Sequence, residues 1–80
     1  MDEIQGRLMK CFQLVFPELP DAEIHAASQS SVPEWDSVAS ITLLNVIEDE
    51  FQITMDLERA AEFDSFQRIE DYLQGRISAV

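Results

Sequence analysis

Eighty residues supply one domain with a single hydrophobic core and leave no room for a second. Hydrophobic residues make up 46% of the chain against two glycines and three prolines, which excludes a disordered tail and predicts a globular fold over 1–80. The formal charge of −11 repels nucleic-acid phosphates and anionic lipid surfaces and favours a protein partner with a basic patch.

From Asp2 to Phe16 the apolar residues Ile4, Leu8, Cys11, Phe12 and Val15 fall at helical spacings, and Met9 and Phe16 broaden the stripe. Pro17 forbids continuation, so this is the first predicted helix. Asp2 and Glu3 at its start and Lys10 towards its end suit the helix dipole. The stretch 17–36 contains Pro17, Pro20, Pro33 and the polar run Ser28-Gln29-Ser30-Ser31, which predicts a long connection. Ile24 and Val32 are expected to pin it to the core, with a short helical turn around Asp21 to Ala27.

Asp36 is placed to cap a second helix running to about Phe51. Leu44, Ile47 and Phe51 form its expected core face, Val38, Ile41 and Asn45 another stripe, while Glu48, Asp49 and Glu50 are expected mostly in solvent. Met55 to Glu62 carries Leu57, Ala60 and Ala61, enough for a third helix of two turns. The last helix begins at Asp64 or Ser65 and aligns Phe66, Ile69, Leu73 and Ile77. No strand-like alternation competes. The predicted fold class is all-α: a small antiparallel four-helix bundle with a long first loop and a short third helix.

All five basic residues (Arg7, Lys10, Arg59, Arg68 and Arg76) lie near the two ends, so residues 11–58 carry ten acids and no base. That concentrated field can steer a basic partner to the middle of the chain. Cys11 has no second cysteine to pair with and no signal-like segment precedes it, which predicts a cytoplasmic protein; its place in an apolar stripe predicts a core thiol rather than a reactive one. No apolar run is long enough to span a membrane.

Enzymatic readings lack parts. His25 is the single histidine, and a triad with Ser37 and an aspartate would lack the scaffold for an oxyanion hole, so His25 is read as a solvent-facing loop residue. One Cys and one His cannot make a structural zinc site, and Gly6 and Gly75 sit in no phosphate-cradling motif.

The segment from Trp35 to Phe51 is more specific. Asp36-Ser37-Val38 at the predicted helix start, then apolar residues, then Glu48-Asp49-Glu50-Phe51, resembles the acyl carrier protein family, whose modified serine lies in Asp-Ser-Leu at the start of the second helix. Length, acidity, the proline-containing first loop and the short third helix match as well, so the resemblance spans nearly the whole chain. It implies that the chain is not an enzyme but a covalent group carrier. A phosphopantetheinyl transferase would attach phosphopantetheine from coenzyme A to Ser37, with Asp36 as its recognition or metal-facing residue. An acyl or aminoacyl group would then be carried as a thioester. The implied partners are that transferase, an acyl- or aminoacyl-loading ligase, and acyl-processing enzymes with basic patches, acting on a monomer.

Asp64-Ser65-Phe66 repeats the tripeptide pattern without the acidic cluster and is read as a helix cap. Val38 replaces the family's usual Leu, Thr42 stands where Glu is usual, and Asn45 where an exposed apolar residue is common. These departures imply weakened docking to the enzymes of bulk fatty acid synthesis. The expected partner-reading surface is Trp35, Val38, Ile41, Thr42, Asn45, Glu48 and Asp49, with Trp35 alternatively a core aromatic that anchors the loop. The competing class is an acidic helical interaction module that never carries an arm.

Overall fold

Four apolar stripes of helical period have to be covered at once, and the computed structural model shows how. It describes residues 3–55 and 57–77, without the side chains of Leu57 and Arg59. Helix α1 spans Glu3–Val15 and buries Leu8, Cys11 and Phe12, the predicted stripe. Asp2, expected at its start, lies outside the described residues. The short α2, Asp21–Ile24, is the predicted turn in the connection; it follows Pro20 and buries Ile24.

Helix α3, Ser37–Phe51, is the predicted second helix, and it buries Leu43, Leu44, Ile47 and Phe51 together with Ser40. It ends at Gln52 in the left-handed region, φ 55° and ψ 48°, and the Ile53 amide closes back on the Glu48 carbonyl at 3.2 Å. That six-to-one bond satisfies a carbonyl the helix end would otherwise leave open. The short third helix expected over Met55 to Glu62, of which Asp56 lies outside the described residues, forms over Leu57–Glu62 with 3-10 winding. Its tighter winding advances about 2.0 Å per residue against about 1.5 Å, so six residues reach further between the buried anchors Met55 and Phe63. Helix α4, Phe66–Ile77, buries Phe66, Ile69 and Leu73. Ile77, predicted on the same face, is 39% exposed because the helix end runs past the core.

The core is continuous. Phe12 lies at its centre, with ring centroids 5.1 Å from Phe66, 5.4 Å from Trp35 and 6.0 Å from Phe16, so α1, α4 and the end of the first connection meet on one aromatic cluster. Ile24 and Val32 anchor the connection from within, as expected. The connection is also tied to α4 by an isolated antiparallel bridge between Ser28 and Ser65, in which the Gln29 amide donates to the Asp64 carbonyl at 2.8 Å and the Phe66 amide to the Ala27 carbonyl at 2.9 Å. Among the described residues the fold is all-helical, with no strand beyond this bridge.

One further contact joins α1 to the end of α3. Arg7 pairs through Nε with Glu50 Oε2 at 2.9 Å, donates through Nη2 to the Glu50 carbonyl, and lies 4.6 Å over the Phe51 ring. Glu50 is therefore half-buried rather than free in solvent. No helix among the described residues is long and apolar enough to cross a membrane.

Candidate functional site

The start of α3 is built by its preceding residues. Trp35 is buried at 3% exposure and its amide bonds the Val32 carbonyl at 3.0 Å, which fixes the chain as it enters the helix. Asp36 follows in extended geometry and caps: its Oδ1 accepts from the Ala39 amide at 2.8 Å and its carbonyl from the Ser40 amide at 2.9 Å. Both roles match the cap expected from sequence.

Ser37 is therefore the first residue of the helix. Its side chain is exposed, and its hydroxyl has no hydrogen-bond partner among the described residues. The Ser37 and Val38 amides likewise find no acceptor there. Open amides in the first turn, with the positive end of the helix dipole, are a setting that favours an anion. Among the described residues no base is hydrogen-bonded to the hydroxyl. His25 is exposed, as expected, and its ring packs edge-on to Phe66 at 5.2 Å.

Beside Ser37 runs an open groove of about 320 Å³ lined by Gln29, Ser37, Ser40, Ile41, Ala60 and Ala61. The first connection, α3 and the 3-10 helix form its sides, and two alanines keep one wall low. The volume is at the low end for a ligand site, and the lining combines apolar Ile41, Ala60 and Ala61 with polar Gln29, Ser37 and Ser40. Another depression, lined by Asn45, Glu48, Asp49, Gln52, Ile53 and Thr54, lies at the far end of α3. No cluster of three or more His, Cys, Asp or Glu among the described residues is arranged to hold a metal ion.

No family model, curated protein or solved structure matches the chain.

Most of the residues expected to read a partner do share a surface. Val38 is 72% and Ile41 50% exposed, and Thr42, Asn45 and Asp49 continue the same exposed stripe along α3. Trp35 does not belong to it. Its indole is sealed in the aromatic cluster, so of the two roles considered for it the structure supports the core anchor. Glu48 is half-buried, and its Oε2 accepts from the Met55 amide at 2.7 Å, which spends part of its carboxylate on the turn after α3.

Ser65, the sequence's second Asp-Ser, differs from Ser37 in each respect that matters. It is half-buried, held in the bridge to Ser28, and its Oγ accepts from the Arg68 amide at 3.2 Å as the cap of α4. Sequence reasoning missed Ser40 and Gln29. The signal was present in the stripe Ser40, Leu44, Ile47 and Phe51, where a serine occupies a core position and has to find polar partners. Cys11 is a core thiol at 1% exposure, and its pKa is pushed from 9.0 up to about 11, first by burial and then by the Glu50 carboxylate, with Arg7 opposing.

Proposed function

We propose that this chain is a carrier protein of the acyl carrier type, an antiparallel four-helix bundle that takes a phosphopantetheine arm on Ser37. The observation that carries the reading is the free, exposed Ser37 hydroxyl at the tip of α3, within Asp36-Ser37-Val38 and fourteen residues before Phe51. Modification by a separate transferase would form a phosphorus–oxygen bond to Ser37 Oγ as the pyrophosphate link of coenzyme A breaks and its adenosine bisphosphate half leaves. The serine proton would pass to a base of the transferase. The Ser37 and Val38 amides then stabilise the phosphodiester charge. Asp36 holds the helix start while leaving its second carboxylate oxygen for the transferase or its magnesium ion.

When attached, the arm supplies a thiol that carries an acyl or aminoacyl group as a thioester. The protein's part is presentation. Val38 and Ile41 offer exposed apolar contact within an acidic field, a surface suited to ligases and acyl-processing enzymes with basic patches. Thr42 and Asn45, uncharged and polar, favour partners outside bulk fatty acid synthesis.

Incubation of the chain with coenzyme A and a broad-specificity phosphopantetheinyl transferase should add one phosphopantetheinyl mass. Ser37→Ala should accept none, and Ser65→Ala should accept as much as wild type. A wild type that stays unmodified would instead favour the interaction module, docking through Val38, Ile41 and the acids of α3 with no arm.

A further inference from the structure

Ser40 lies one turn beyond Ser37 on α3, 9% exposed, in the floor of the groove that Ser37 borders. A hydroxyl has two lone pairs and one proton. Both lone pairs are taken, by the Trp35 Nε1–H at 2.8 Å and by the Gln29 Nε2–H at 3.2 Å. The Ser40 proton finds no acceptor among the described residues. Thr42, two residues on, spends its proton on the Val38 carbonyl one turn back at 3.1 Å, the ordinary outlet for a helical hydroxyl. Ser40 does not use that outlet. Buried donors are seldom left over, and this one borders a groove.

We propose that the Ser40 hydroxyl is the groove's hydrogen-bond donor and takes a carbonyl oxygen of the chain attached at Ser37, either an amide carbonyl of the arm or the thioester carbonyl of its cargo. The inference rests on Ser37 as the attachment point. Trp35 and Gln29 act as positioning residues: by filling both lone pairs they leave Ser40 able only to donate, so it selects an acceptor. A hydroxyl whose proton is engaged is a stronger acceptor, so occupancy of the groove strengthens the bond from the Trp35 indole. Trp35 is the single tryptophan, which makes its indole signal unambiguous.

The test uses the full chain, labelled with nitrogen-15, in three forms verified by mass: unmodified, arm-bearing and acetyl-loaded. The Trp35 indole proton should move downfield. Movement on arm attachment assigns the contact to an arm amide, and movement only on acetylation assigns it to the thioester. Gln29→Glu replaces a donor with an acceptor of the same shape, consumes the Ser40 proton and should abolish the movement; Ser40→Thr keeps the hydroxyl and should retain it. An indole that stays in place through all three wild-type forms overturns the inference, as does one that moves equally in Gln29→Glu. Failure of the arm to attach, seen by mass before any spectrum, overturns the attachment reading and this inference with it.

Discussion

Ser37 and Ser65 have the same local sequence, an aspartate before and an apolar residue after, and their surroundings make them opposites. Ser65 caps α4 through its oxygen, whereas Ser37 contributes nothing to its own helix because Asp36 already caps it. Ser65→Ala should therefore cost about 1 kcal/mol in urea unfolding, and Ser37→Ala should stay within about 0.5 kcal/mol of wild type. Equal losses would show that the Ser37 hydroxyl is engaged. The motif distinguished the two serines in sequence, because only the first is followed at the right distance by Glu48 to Phe51. The fate of Trp35 was not legible: an aromatic beside an exposed serine fits a surface or a core equally until the positions of Phe12 and Phe16 are known. Cys11 makes a prediction of opposite kind. Its thiol titrates at about 11 when folded against an ordinary 9.0, so between those values the unfolded chain has given up the proton that the folded chain retains. Its contribution to stability is constant below about pH 9 and falls as pH rises towards 11. Urea unfolding at about pH 8 and about pH 10 should show a steeper decline for wild type than for Cys11→Ala, although the variant is less stable throughout.

At the scale of the element, α3 is legible at both ends for different reasons. Asp36 marks the start by its chemistry, and the last apolar residue of the stripe, Phe51, marks the stop. The stop lacks the usual glycine. Gln52 adopts φ 55° with a Cβ present, and its side-chain amide donates to the Asp49 carbonyl at 2.6 Å in partial compensation. Gln52→Gly should stabilise the fold by up to about 1 kcal/mol, read as a raised urea midpoint. A loss would mean that the side-chain bond outweighs the strain. The same helix end is gripped by Arg7, which spends charge, hydrogen bonding and ring contact on Glu50 and Phe51. Because the pair is more than a third exposed, Arg7→Ala should cost only about 1 kcal/mol, with the loss shrinking in concentrated salt. The 3-10 winding of Leu57–Glu62 was beyond sequence reading, since its two alanines suit either helix and six residues are too few for a periodic pattern to separate the two windings.

For the whole molecule, charge and topology dominate. A chain of −11 whose segment 11–58 holds no base folds against its own repulsion, so moving from low to about 0.5 M sodium chloride should raise the thermal midpoint. A midpoint that falls would give the ion pairs of Arg7 and Arg68 more weight than the repulsion among carboxylates. The all-helical class was legible because apolar spacing repeats in four separate segments. The path of the first connection was not, because its pairing with Ser65 joins residues far apart in sequence and leaves no periodic trace. That pairing changes what a cut would do. An endoprotease opening the backbone near Ser28 would remove the partners of both the Asp64 carbonyl and the Phe66 amide, so the damage would propagate into the root of α4. A segment rich in serine and proline that looks like an ordinary tether is thus a clasp, and the molecule should resist nicking there for as long as its last helix stays seated.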